Sequence, residues 1–164
     1  MSDMSGMDRL SHTDATGAAR MVDVSAKEPT AREAVASGVL RTSPSVISLL
    51  RADDLPKGDA LATARIAGIM AAKRTPDLIP LCHPIALSAV RVEIELGDDA
   101  LWITATVRTT DRTGVEMEAL TAVAVAGLTL HDMIKAVDPG AVLTDIRVDF
   151  KGGGKTGQWR RRGG

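Results

Sequence analysis

Residues 90–107 alternate apolar and polar side chains on both sides of a short turn, and no other stretch constrains the fold as tightly. Val90, Val92, Ile94 and Leu96 fall on one side, with Arg91, Glu93 and Glu95 on the other. After Gly97-Asp98-Asp99 the pattern resumes with Leu101, Ile103, Ala105 and Val107. Successive strand side chains point to opposite faces, so this stretch predicts an antiparallel hairpin with one dry face. A dry face has to be covered by another layer.

Helical spacing supplies that layer. Thr113-Gly114 begins the longest helix, about 115–137, closed by Asp138-Pro139-Gly140. Asp59 caps a second helix, whose Leu61, Ala64, Ala67, Gly68, Ala71 and Ala72 recur at helical intervals. Ser43-Pro44 opens another, with proline in the first turn. Thr30 and Glu33 have capping-box spacing and predict a helix ending near Gly38, followed by a short strand at Val39–Thr42. A last strand alternates Ile146, Val148 and Phe150 with Asp145, Arg147 and Asp149. The order predicts an α+β, ferredoxin-like split β-α-β fold, with an antiparallel sheet packed against helices and one helix extra.

A chain of 164 residues suits one domain. Residues 1–20 read as a flexible polar arm, 21–157 as the folded domain and 158–164 as a flexible basic tail. Twenty Lys/Arg against 21 Asp/Glu leave no global field drawing the chain to nucleic acid or membrane. Trp102, Trp159 and Phe150 are the only aromatic residues, too few for a base-stacking platform. The single cysteine, Cys82, excludes an intrachain disulfide and fits a reducing cytoplasm. The longest uncharged apolar run, Ala119–Leu130, has 12 residues, short of the roughly 20 that span a bilayer. The first residues carry early acids and no apolar core of a secretory signal.

Three segments could carry chemistry. Leu78-Ile79-Pro80-Leu81-Cys82-His83-Pro84 brackets a cysteine and a histidine with prolines. It is either a rigid connector or a rigid mount for His83. On the long helix, Asp132 and Lys135 share a face, as a solvated ion pair or as an acid/base pair. Glu118 lies 14 residues before Asp132, about 21 Å along the axis, too far for one small reacting centre in one subunit. Lys151-Gly152-Gly153-Gly154-Lys155-Thr156-Gly157 is either a loose basic tail or a glycine-rich anion cradle. As a cradle, it is mobile until a polyphosphate orders it. No carboxylate cluster declares a metal site, so no bound cofactor is expected, Mg²⁺ assistance at a phosphate aside.

Taken together, MVDVSAK (21–27), KGD (57–59), ATARIAGIMAAKRTPDLIPLCHP (62–84), TGVEMEALTAVAVAGLTLHDMIKAVD (113–138) and KGGGKTG (151–157) resemble the cyclic pyranopterin monophosphate synthases, the molybdenum cofactor biosynthesis protein C family. The resemblance implies conversion of 3′,8-cyclo-7,8-dihydroguanosine 5′-triphosphate to cyclic pyranopterin monophosphate, with pyrophosphate released. It implies a hexamer, a trimer of dimers with each site shared across a dimer interface. It places a catalytic aspartate at Asp132 with Lys135 and Lys57 as partners. Substrate contacts fall at Leu81, Cys82, His83, Glu116, Met117 and Glu118, and the tail lysines at Lys151 and Lys155. The family's tail has serine where this chain has Gly152 and Thr156, so one hydroxyl is lost.

The chemistry suits these residue types. Rebuilding a purine-derived ring moves protons at several atoms, which an Asp–Lys pair with a second lysine can do. Cations on a departing pyrophosphate stabilise the charge that develops there. The rival classes are a non-catalytic nucleotide-binding paralogue and an RNA-binding ferredoxin-like domain. The second would need exposed aromatics on the sheet, and only Trp102 is available on the polar side of the hairpin.

Overall fold

The computed structural model describes residues 11–55 and 59–163. In chain order the elements are β1 (Thr30–Arg41), α1 (Pro44–Ala52), α2 (Ala60–Lys73), α3 (Thr75–Leu78), β2 (Leu87–Leu96), β3 (Ala100–Asp111), α4 (Glu116–Ile134), β4 (Val142–Gly152) and β5 (Trp159–Arg160). The sheet is antiparallel with strand order β2-β3-β1-β4-β5. The predicted hairpin is β2 and β3, paired from Leu87↔Thr109 to Leu96↔Leu101. The split β-α-β expectation holds, with α2 and α4 as the covering helices and α1 and α3 as additions.

One predicted helix is absent. Residues 30–38 are the first three quarters of β1, a central strand paired with both β3 and β4, and Val39–Arg41 complete it. Ala34, Ala36, Gly38 and Leu40 form its buried row, alternating with half-buried Glu33, Val35, Ser37 and Val39. That alternation is made of small residues, so its apolar signal is faint beside the helix propensity of alanine and the Thr30–Glu33 spacing. Sheet pairing on both edges outweighs the local preference.

Small residues also set how closely the layers meet. A Cβ on Gly68 of α2 would stand 2.9 Å from the Ala122 carbonyl oxygen and 3.3 Å from the Ala126 Cβ of α4. On the other side of α4, a Cβ on Gly38 would stand 2.8 Å from Val123 Cγ1. Helix α2 meets α4 nearly backbone to backbone, and the Val123 side chain of α4 seats directly on the strand at Gly38. We predict that Gly68→Val lowers stability by about 1–3 kcal/mol, because the Ala122 carbonyl cannot move aside. Urea unfolding measures this, and an unchanged midpoint would refute it.

Ser43 caps α1 and Asp59 caps α2, as expected; the Asp59 carboxylate accepts from Ala62 N at 2.9 Å. Asp138, just beyond α4, accepts from Thr42 Oγ1 at 2.8 Å and Ser43 N at 3.0 Å, tying the end of α4 to the start of α1. These bonds, the Thr42 hydroxyl foremost, hold its carboxyl below the usual range. By length and composition α4 could cross a membrane, yet more than half of it is buried, as a core helix between α2 and the sheet.

Residues 11–20 and 159–161 make hydrogen bonds that their composition does not announce. Of the arm, residues 1–10 lie outside the described residues. Residues 11–20 form a turn, bridged at Thr13↔Ala19, in which Asp14 accepts from Thr16 and Ala18. In the tail, Trp159 and Arg160 pair with Lys151 and Phe150 as β5, where a loose basic segment was expected.

Candidate active site

Pro80 and Pro84 keep residues 79–84 out of regular pairing, and the turn closes with Cys82 N donating to Ile79 O at 3.1 Å. This connector faces the first turn of α4. Leu81, Cys82 and His83 from the one, with Glu116, Met117 and Glu118 from the other, line a cleft of about 250 Å³. All six predicted substrate contacts outside the tail therefore meet in one place. The His83 ring nitrogen Nε2 lies 2.6 Å from the Val22 carbonyl oxygen. A carbonyl only accepts, so Nε2 carries the proton and Nδ1 of a neutral ring is left as an acceptor. The same bond docks the 21–27 segment against the cleft.

Glu118 forms the floor. It is 3% exposed, and burial, with the nearby Glu116 charge as a smaller cause, pushes its carboxyl up to about 7. The Cys82 thiol is pushed up as well, mainly by burial and then by Glu118. Glu116 is half-exposed and pairs with Lys151 Nζ at 3.6 Å. Lys151 sits opposite Ala34 in the β1–β4 register, which puts it on the helix side of the sheet beside the start of α4.

A second cleft, of about 580 Å³, is lined by Lys27, Thr30, Arg32, Gly154, Lys155 and Thr156, with Glu28 as its one acid. Lys27 lines both clefts, so they adjoin. Lys155 thus lies beside the first cleft rather than in it. Arg32 continues the buried row of β1 beyond the cover of the helices. Sequence reading missed His12, Lys27 and Arg32. The strand alternation from Ala34 to Leu40 was the signal for Arg32, but its segment read as helix. His12 carries no local pattern that sets it apart, and Lys27 stood out only as the last residue of MVDVSAK, with no role assigned to it.

Asp132 and Lys135 lie elsewhere. Lys135 Nζ meets Asp132 Oδ1 at 2.7 Å, both half-exposed, at the far end of α4 from Glu118. Neither residue lines the two clefts. Lys57 lies outside the described residues. One subunit therefore assembles the cleft residues and leaves the Asp132–Lys135 pair apart from them.

Fold and clefts define a ferredoxin-like α+β protein with a buried carboxyl, pushed up to about 7, beside a cation-lined cleft. The chain matches the MoaC family over residues 21–154. It is 68% identical over 154 residues to cyclic pyranopterin monophosphate synthase of Streptomyces coelicolor, covering 94% of this chain and 91% of that one. It is 66% identical over 153 residues to cyclic pyranopterin monophosphate synthase 2 of Mycobacterium tuberculosis, covering 93% and 92%. Cyclic pyranopterin monophosphate synthase 3 of Mycobacterium bovis is 57% identical over 162 residues, covering 98% and 90%. The chain belongs to the MoaC family.

Proposed function

We propose that this protein is a lyase of molybdenum cofactor biosynthesis that converts 3′,8-cyclo-7,8-dihydroguanosine 5′-triphosphate to cyclic pyranopterin monophosphate and pyrophosphate. The observation that carries the reading is the 68% identity over nearly the whole chain to a relative that bears the name of that activity. The geometry supports it. A substrate with a ring system at one end and a triphosphate at the other suits two adjoining clefts, one holding ionisable groups and the other cations.

In this reading the ring system enters the Cys82–His83–Glu118 cleft. Neutral Glu118 is a proton donor there, since its carboxyl titrates near 7. Asp132 and Lys135, with Lys57, complete the acid/base set from a second copy of the chain. The separation along α4 supports that sharing. So do Ile66 and Met70, one turn apart on α2, and Leu128 on α4, which are 59%, 54% and 61% exposed on the helical layer. The assembly proposed is a hexamer of three dimers in the cytoplasm, with lysines rather than a resident metal carrying the phosphate charge.

The test is incubation of the purified protein with the enzymatically prepared cyclic dihydroguanosine triphosphate. The expected result is the oxidisable pyranopterin together with pyrophosphate. Unchanged substrate, with a Streptomyces relative active in parallel, would overturn the reading.

A further inference from the structure

Residues 153–158 are the loop of a β-hairpin, because Lys151↔Trp159 and Phe150↔Arg160 pair on its two sides. Its glycines are built into place. Gly153, with φ +95°, lies against the Ala31 carbonyl, where a Cβ would collide. A Cβ on Gly154, φ +75°, would stand 2.6 Å from the Arg32 guanidinium. This packing lays Lys155 and Thr156 along the cleft that Lys27, Thr30 and Arg32 line from the other side. Among the described residues Lys27, Arg32 and Lys155 form no ion pair, so three cations converge on a cleft whose one acid is Glu28.

What closes the hairpin lies past the glycines. Arg161 N donates to the Asp149 carbonyl at 2.9 Å, and Arg161 Nε donates to the Val148 carbonyl at 2.8 Å. Its guanidinium also stacks 5.6 Å from the Trp159 ring centroid, while Arg160 stands 4.9 Å over Phe150. The next residue, Arg162, has no side-chain hydrogen bond, ion pair or ring contact among the described residues. Two neighbouring arginines of equal charge therefore differ completely in what they hold.

We infer that Arg161 is a positioning residue: clamped to β4, it holds the Lys155–Thr156 tip of the hairpin against Lys27 and Arg32 and so preforms the place where a polyphosphate binds. Preforming a glycine-rich loop moves its ordering cost from binding to folding. The inference rests on the functional reading for the identity of the ligand, but inorganic tripolyphosphate tests it without turnover.

The experiment measures tripolyphosphate affinity by calorimetry for the wild type and for Arg161→Ala, Arg161→Lys and Arg162→Ala. It adds hydrogen exchange over 153–158 and steady-state kinetics. Arg161→Ala is expected to weaken tripolyphosphate about tenfold, to deprotect the loop amides, and to raise KM far more than it lowers kcat. Arg161→Lys, which keeps a stacked cation and a donor, recovers most of the affinity. Arg162→Ala removes the same charge and changes nothing. Equal weakening by Arg161→Ala and Arg162→Ala would make the effect one of net charge and overturn the inference. So would unaltered affinity in Arg161→Ala, or no tripolyphosphate binding by the wild type. Absence of product from a wild type that binds tripolyphosphate in an Arg161-dependent way would instead defeat the functional reading.

Discussion

Asp132→Asn is expected to lower kcat by about 10²–10⁴ at saturating substrate while leaving fold and assembly unchanged. The substitution keeps the shape and removes the capacity to exchange a proton. Asp132 and its partner Lys135 are both 54% exposed, and an ion pair in water contributes little to stability. A loss of turnover then reports chemistry and not unfolding. Lys135→Ala should fall in kcat in the same way, since only an amine can hold the proton at that place. Single-turnover kinetics separate the step from product release. A wild-type kcat in Asp132→Asn would remove the aspartate from the acid/base set, and a change confined to KM would reduce Lys135 to binding.

Glu118→Gln has the second large expected effect, in the shape of the pH profile as well as in rate. The wild-type carboxyl titrates near 7 because it is buried, so the proton-donating form is lost as pH rises through that value. kcat is expected to fall above about pH 7 in the wild type. In Glu118→Gln the limb disappears and the remaining rate is low at every pH. The same shift acts on stability. A carboxyl raised from 4.5 to about 7 favours the folded state relative to its ionised form, and this advantage is complete below 4.5 and lost as pH rises through 7. Glu118→Gln should therefore flatten the stability profile between those values. A limb that persists unchanged would show that another group titrates there.

The sequence was most legible where period and chemistry agreed. The β2–β3 hairpin, α2 with its Asp59 cap, and α4 followed from alternation and helical spacing, because their apolar residues are large or numerous enough to show a period. β1 was not legible, because Ala34, Ala36 and Gly38 bury well but contrast weakly with their neighbours. That one error hid Arg32 and with it the cation-lined cleft. The meeting of residues 81–83 with Glu116–Glu118 was legible only through the family resemblance. Their spacing in the chain says nothing of the approach of the connector to α4. The tail stayed open between a loose segment and an anion cradle for a different reason. Gly153 and Gly154 combine positive φ with close approach to Ala31 and Arg32, which composition does not distinguish from looseness.

The claim on which the account turns is that one reacting centre draws Glu118 from one copy and Asp132 from another. Mixing inactive Glu118→Gln protein with inactive Asp132→Asn protein tests it, after dissociation and reassembly with mixed oligomers verified by native mass spectrometry. In a randomly mixed dimer-shared site, half the dimers carry both variants, and each of these has one centre with neither substitution. Equal mixing should then restore about a quarter of wild-type activity. No recovery at any ratio, with mixed oligomers present, would contradict the shared centre.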